Sequence, residues 1–175
     1  MKKIVLILFC ITIIVSCKEN NREEVVPVVE DVKLDNKLKV EIEYKSDTKG
    51  MLQCAFIQIE LENNQYSSYT VTQKFNASKD FINTDFEMFG DFIMENLQLR
   101  FGSSPIKIFV KKIVLSYDEV EIVVDGKDLN RYFAKNKFVK INPENQTIET
   151  FVVNGNHSPA LILRNGIIDR LFFSL

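Results

Sequence analysis

The chain has 175 residues, 46% of them hydrophobic, with 22 Lys and Arg against 24 Asp and Glu. A formal net charge of −2 lacks the basic excess with which nucleic-acid-binding proteins neutralise phosphates, so we expect no nucleic-acid partner. The size fits one ordinary domain with a substantial hydrophobic core.

The first 17 residues have the layout of a secretory signal peptide. Lys2 and Lys3 precede an apolar run from Ile4 to Val15, and a small residue, Ser16, then stands before a cysteine. The run is shorter than the roughly 20 apolar residues of a membrane span and fits the apolar core of a signal.

The letters "IVSC" at positions 14–17 resemble the lipobox of bacterial lipoproteins, except that Ile14 stands where Leu is usual. The resemblance implies that residues 1–16 are removed and that Cys17 is lipidated, which makes the membrane a partner through the lipid. The "KEN" that follows is similar to charged export signals of some Gram-negative lipoproteins. We therefore expect a protein of the Gram-negative cell envelope, anchored in the outer membrane and facing the periplasm or the exterior. The alternative is a secreted protein cut near Ser16.

Residues 17–31 are polar and acidic at first, then contain a proline, and have no sustained period, which predicts a flexible tether. Residues 32–175 are then predicted to form a single domain. The one internal thiol, Cys54, can form no intramolecular disulfide, and we interpret it as a small buried hydrophobe rather than a reactive group.

After the tether, apolar and polar residues alternate with the period of half-buried strands. In chain order, the predicted strands include residues 38–44, 57–61, 69–75, 97–101, 106–117, 120–124, 137–141, 148–153, 160–163 and 167–175. In the second of these, Ile57 and Ile59 are assigned to the core face. A change of phase at Lys111 and Lys112 predicts a β-bulge inside one long strand.

One segment departs from the alternation. Asp128 is a suitable cap for a short helix from Leu129 to Ala134. The whole pattern predicts an all-β fold, an antiparallel β-sandwich of about ten strands with one short helix. The 14 Phe and 5 Tyr suit such a core, because aromatic side chains bury a large area per residue.

The segment "ENLQLRFGSSPIKIFVKKIVL", from Glu95 to Leu115, resembles an element of carbohydrate-binding-module-like jelly rolls. A strand leads to Arg100, a Gly-containing loop follows, and a strand pair starts at Ile106. Phe101 departs from the pattern, because an acidic residue is expected there. The resemblance implies a jelly-roll sandwich and a glycan as its ligand.

Catalytic and metal-binding patterns are missing from the sequence. The chain has a single histidine, His157, so it can form no metal motif that needs two. We therefore predict that it is not an enzyme and uses no metal or cofactor. Asp85 and Glu87 share one strand face and represent the alternative of a glycan-active carboxylate pair, although charges on the water-facing side of a strand are the default.

The favoured hypothesis is a non-catalytic binding module for a glycan or an envelope partner protein. Aromatic rings that can stack on a sugar and one planar cation are its candidate binding residues: Tyr66, Tyr69, Phe56, Tyr132 and Arg100. A basic cluster at Lys107, Lys111 and Lys112 is interpreted as protection of a strand edge. Besides the enzyme, a carrier of a small apolar ligand remains an alternative.

Overall fold

The computed structural model describes residues 37–60, 65–90 and 93–173. The predicted signal peptide, lipidated Cys17 and tether lie outside the described residues. Within them, eleven strands form two antiparallel sheets, accompanied by two short helices. The predicted all-β sandwich is confirmed.

Sheet A contains β1 (Lys37–Ser46), β4 (Ser78–Phe89), β6 (Lys107–Tyr117), β7 (Val120–Asp125), β9 (Val139–Asn142) and β10 (Thr147–Thr150). Its order is β4-β1-β6-β10-β9, and β7 also pairs with β6. Sheet B contains β2 (Gly50–Glu60), β3 (Gln65–Phe75), β5 (Ile93–Arg100), β8 (Phe133–Lys135) and β11 (Ala160–Leu163), in the order β3-β2-β5-β11-β8.

The pairing of the early strands is nested. The β2–β3 pair lies inside the β1–β4 pair along the chain, and the β2–β5 pair lies inside the β1–β6 pair. Nested antiparallel pairing of this kind is typical of the Greek-key connections from which jelly rolls are built. The chain consequently passes between the two sheets at both ends of the sandwich.

The register defines these two ends. We call the end at which the chain enters β1 the entry end. Lys37 pairs there with Phe89, Leu38 with Tyr117, and Ile59 with Ile93. We call the opposite end the distal end; it carries the β1–β2 turn, the β3–β4 connection and the loop after β5.

The core lies between the sheets. The alternation predicted for β1 is confirmed, because Leu38, Val40, Ile42 and Tyr44 are all at most 2% exposed. The largest fully buried side chains are Tyr44, Phe56, Phe86, Phe101 and Phe133. Each such aliphatic or aromatic burial stabilises the fold by roughly 1.5–3 kcal/mol, and these rings occupy the space in which an apolar ligand would have to lie.

The bulge predicted in the long strand is confirmed. Glu43 pairs with Lys112 and Tyr44 pairs with Val110, so Lys111 is the extra residue of β6. Both lysines then point to the outer face, where their ammonium groups lie 2.6 and 3.9 Å from the Glu43 carboxylate. The edge-protection interpretation is wrong, because β6 pairs with β1, β7 and β10 and is a central strand.

The core face of β2 differs from the prediction. Leu52, Cys54 and Phe56 are buried, whereas Ile57 and Ile59 lie half-buried on the outer face. The run "MLQCAFIQIEL" is apolar in both phases, so its own pattern left the inward phase undetermined. Pairing with β5 decides it, because Cys54 and Phe56 lie opposite the buried Leu99 and Leu97.

The prediction of a last strand at residues 167–175 is wrong. Residues Asn165–Phe173 form a helix, which we call α2. Ile168 and Leu171 are buried, and Ile167 and Phe172 pack against the core. This spacing is the stripe of an amphipathic helix. In the part of the chain that the structure describes, no helix is long and apolar enough to cross a membrane.

The shorter helix, α1, spans Leu129–Tyr132 and follows a 3-10 turn at Gly126–Asp128. It ends earlier than predicted because Phe133 to Lys135 pair with β11 as strand β8. The cap also differs from the prediction. Asp128 makes no side-chain cap, and it is the Asp125 carboxylate that accepts a hydrogen bond of 3.0 Å from the Lys127 amide.

Gly126 lies where two backbone segments approach each other closely. A Cβ atom at this position would stand 1.8 Å from the carbonyl oxygen of Val110. We therefore predict that Gly126→Ala lowers the free energy of unfolding by about 1–3 kcal/mol or more. Urea denaturation followed by circular dichroism measures the change.

Gly166 provides the matched control. It lies in the first turn of α2, and an added Cβ would have no heavy atom within 4 Å. Gly166→Ala should leave the stability unchanged or raise it by about 0.4–1 kcal/mol, since alanine restricts the unfolded chain. Equal effects of the two substitutions would contradict the steric argument.

Candidate functional site

The candidate site is a pocket of about 370 Å³ at the distal end. It opens between the β1–β2 turn, the end of β3 and the loop after β5. Its lining consists of Lys49, Gly50, Met51, Lys74, Phe75, Asn76, Gly102, Ser103 and Ser104. Volumes of about 300–1,000 Å³ are usual for pockets that take small molecules.

The floor of the pocket is apolar and is built from the core. Gly50 and Phe75 pair across β2 and β3, and a Cβ on Gly50 would lie 2.5 Å from the Phe75 ring. The missing side chain therefore lets the ring lie across β2, where it meets Tyr44 edge-on at 5.3 Å between centroids. Met51 completes the floor, and Gly102 packs close to it.

The β1–β2 turn is held in place by Ser46. This side chain is 1% exposed, and its hydroxyl contacts the carbonyl oxygens of Thr48 and Lys107 at 2.9 and 3.0 Å. The contacts attach the turn to β6 in the same sheet. Lys49, the residue that follows, is thereby placed at the rim of the pocket.

The walls of the pocket are polar and cationic. Lys49 and Lys74 carry ammonium groups, Asn76 an amide, and Ser103 and Ser104 hydroxyls. Among the described residues, no carboxylate oxygen lies within 4.0 Å of either ammonium nitrogen, the distance that defines an ion pair. The described lining thus presents two uncompensated positive charges and neutral donors, the groups that suit an anionic, oxygen-rich ligand.

A polar row on the outer face of sheet B adjoins the pocket. Met51 pairs with Lys74. In the next row of the outer face, farther from the distal end, Gln53 pairs with both Thr72 and Arg100. The Gln53 amide donates to the Thr72 hydroxyl at 3.1 Å. Ala55 follows in the next row and is fully buried, so neighbouring side chains cover it.

Arg100, a predicted binding residue, does not line the pocket but lies in the adjoining polar row, opposite Gln53. Its Nε and Nη2 atoms donate to the side-chain Oε1 atom of Gln98 at 3.2 and 3.0 Å. These bonds hold the planar guanidinium on the outer face, one strand away from Gln53. The side chain is half-buried.

The predicted aromatic residues do not gather at the pocket. Tyr66 is 69% exposed but lies toward the entry end, and Tyr69 is 54% exposed on the edge strand β3. Phe56 is fully buried and supports Tyr69 from the core, with ring centroids 6.3 Å apart. Tyr132 is half-buried in α1 and packs against the core. The prediction of an exposed role for Phe56 is wrong because β2 presents that phase inward.

Sequence reasoning missed the polar residues of the pocket. Lys49, Lys74 and Asn76 lie in or beside turns, and such residues are common in turns without any binding role. Ser103 and Ser104 lie inside the "FGSSP" loop, which carried the resemblance to carbohydrate-binding modules but indicated no site. Only the nested pairing brings these three connections to the same end.

The alternative carboxylate pair lies elsewhere. Asp85 and Glu87 occupy the outer face of sheet A, where Asp85 faces Glu41 and the Glu87 carboxylate lies 2.6 Å from the Lys37 ammonium. His157 contacts the Thr150 hydroxyl at 3.2 Å through Nε2. In the described part of the chain, no group of three or more His, Cys, Asp and Glu is placed to hold a metal ion.

Neither a protein-family model nor a curated protein sequence matches the chain.

Cys54 is fully buried in the core. Burial raises the pKa of its thiol well above the ordinary value, because a thiolate would lose its hydration there. This supports the interpretation of Cys54 as a packing residue, since the thiolate is the nucleophilic form.

The raised pKa predicts a dependence of stability on pH. The folded chain keeps the thiol protonated, whereas the unfolded chain ionises it above a pH of about 8.5. The stabilisation that comes from keeping the buried thiol protonated is therefore fully present below that pH. The free energy of unfolding falls as the pH rises further, by up to about 1.4 kcal/mol per pH unit.

Urea denaturation between about pH 7 and pH 10 tests this. The sample is the chain from residue 17 onward with Cys17→Ser, which leaves Cys54 as its only thiol. The control adds Cys54→Ala, which removes the titrating group. Parallel pH profiles for the two proteins would refute a protonated, buried thiol.

Proposed function

We propose that this chain is a lipid-anchored envelope protein whose β-sandwich binds an acidic glycan, without catalysis, at the distal pocket. The observation that carries the proposal is the pocket itself. Its floor is Met51 and Phe75, and around it stand two ammonium groups, an amide and two hydroxyls. Neither ammonium forms an ion pair with a carboxylate of the described residues.

Each part of the pocket suits one feature of such a ligand. A sugar ring has apolar C–H faces, which pack on a thioether or an aromatic ring. A carboxylate, sulfate or phosphate substituent accepts charge-assisted hydrogen bonds from Lys49 and Lys74. Ring hydroxyls exchange hydrogen bonds with Asn76 and the serines. The polar row at Gln53 and Arg100 offers space for further units of a longer chain.

The charge distribution also supports an acidic ligand. Removal of the signal would take away Lys2 and Lys3 and move the formal net charge from −2 to −4. In such a domain, an uncompensated cationic pocket attracts anions locally, while the remaining surface repels them. On sheet A, by contrast, the cluster of Lys107, Lys111 and Lys112 is compensated by Glu149 and Glu43.

The anchor belongs to the same proposal. The lipobox resemblance at positions 14–17 supports cleavage before Cys17 and lipidation of its thiol. Two or more acyl chains give stable membrane anchoring, where a single chain gives only reversible binding. The location that follows is the outer membrane of a Gram-negative bacterium.

Charge removal at the pocket tests the binding function. We expect Lys49→Ala and Lys74→Ala each to weaken binding of an acidic polysaccharide about tenfold, since a charge-assisted hydrogen bond contributes about 1.5–3 kcal/mol. Isothermal titration with uronic-acid, sulfated and neutral polysaccharides gives the dissociation constants. The sample is the soluble chain from residue 17 onward with Cys17→Ser.

Lys135→Ala is the matched control. This exposed lysine lies on β8, at the opposite edge of sheet B, and its removal changes the net charge equally. Its affinity should equal that of the parent chain. Absence of binding to every acidic polysaccharide would contradict the proposal, and so would an equal loss in all three variants.

Substitution of the lipidated cysteine tests the anchor. Cys17→Ser should abolish acylation and the signal cleavage that follows it, because residue 17 then carries no thiol for the lipid. Cys10→Ala is the control and should stay membrane-bound, because Cys10 lies within the removed signal. Intact-mass measurement of the mature protein should show acyl chains on the parent and the control only. An unmodified parent chain would refute the lipid anchor.

A further inference from the structure

The entry end of the sandwich is unusually apolar on its surface. Among the large hydrophobic side chains of the described residues, the three most exposed are Tyr66 at 69%, Phe173 at 62% and Phe89 at 60%. All three lie at this end, and Ile93, which is 43% exposed, accompanies them. The distal end also exposes Phe151 at 39% and Val152 at 52%, but the pocket that opens there is lined by lysine, amide and hydroxyl groups.

Three of these side chains, Tyr66, Ile93 and Phe173, belong to one apolar surface of sheet B and helix α2. Ile59 pairs with Tyr66 on one side and with Ile93 on the other. Ile93 and Phe173 line a common cleft of about 130 Å³ with Met94, Tyr117 and Phe172. Helix α2 therefore continues the apolar surface of sheet B toward sheet A.

The sheet A side of this end adds an aromatic ring and a cation. The Phe89 ring lies opposite Lys37, whose ammonium is 5.2 Å from the ring centroid and 2.6 Å from the Glu87 carboxylate. Aromatic rings beside long cationic side chains suit a membrane interface, where the ring can lie at the acyl boundary and the ammonium can stay among the head groups.

We propose that the entry end rests on the bilayer in which Cys17 is anchored, so that Tyr66, Phe89 and Phe173 enter the lipid interface. The inference rests on the lipidation proposed above. Its independent support is the point at which the chain joins the domain. Lys37, the first residue of β1, lies directly beside Phe89.

The covalent connection joins the proposed lipid to the domain at the entry end. Residues 18–36 link the lipid to the entry end and can span at most about 65 Å when fully extended. Strand β1 has 10 residues, so the distal pocket lies about 30 Å farther from the attachment point. A tether of this kind produces a high effective concentration at the membrane, so a weak apolar contact is sufficient to keep the end seated.

The consequence is a defined direction for the binding site. With the entry end on the lipid, the pocket at Lys49 and Lys74 faces away from the membrane and toward soluble or polymeric ligands. An apolar end that is seated on lipid also avoids the contact between copies that a large exposed apolar patch would otherwise favour.

Tryptophan fluorescence tests the orientation, because the chain contains no native Trp. The variants Tyr66→Trp, Phe89→Trp and Phe173→Trp each place one indole at the entry end. Phe81→Trp is the matched control, because Phe81 is also exposed, at 42%, but lies on the outer face of β4 in its distal half. Each lipidated chain is reconstituted into vesicles of phosphatidylethanolamine and phosphatidylglycerol, with or without brominated phosphatidylcholine.

Brominated lipid should reduce the emission of the three entry-end variants by about half or more, since seated rings would lie about 5–10 Å deep in the interface. The Phe81→Trp emission should change little. Flotation of the same samples separates the two possible failures. Chains that float with the vesicles but are quenched no more than Phe81→Trp would overturn this inference alone. The same result is expected if the entry end binds a protein instead of lipid. Chains that do not float would overturn the lipid anchor and this inference together.

Discussion

Burial of one face of β1 is the constraint on which the rest of the structure depends. Alternate side chains from Leu38 to Tyr44 are almost completely inaccessible, and the strand pairs with β4 on one side and β6 on the other. A slip of one residue would turn this entire face toward water, so the register is strongly specified. That register places the start of β1, the end of β4 and the β6–β7 turn at one end, and it places the bulge at Lys111 toward the other.

The same strand connects the core to the candidate site. Tyr44, on the inner face of β1, contacts the Phe75 ring, and Phe75 reaches across Gly50 to form the pocket floor. Ser46, the last residue of β1, holds the adjoining turn through its hydroxyl. The apolar part of the pocket is therefore an extension of the hydrophobic core. The polar part consists of turn residues that the strand ends bring together.

The pairing of charges differs between the outer face of sheet A and the distal pocket. On sheet A, lysines and glutamates alternate across neighbouring strands and compensate one another, as Lys107 with Glu149 and Lys111 with Glu43 illustrate. Exposed pairs of this kind contribute at most about 1 kcal/mol each, but they leave little net charge on that face to attract a ligand. Among the described residues, no carboxylate forms an ion pair with the two pocket lysines, so their positive charges can attract a bound anion. This contrast is the basis of the proposed glycan site.

The sequence by itself determined the features that depend on local pattern: the strands with strict alternation, the bulge in β6 and the sandwich class. Its period of two directly reports a half-buried strand. Only the tertiary structure decided which phase of β2 faces inward, because that run is apolar in both phases. It also decided that residues 165–173 form a helix, since a short apolar run can pack in either form. The grouping of Lys49, Lys74 and Ser103 was beyond sequence reasoning for a physical reason. Residues from a turn, the end of a strand and a loop become neighbours only when nested strand pairing brings them to the same end of the sandwich.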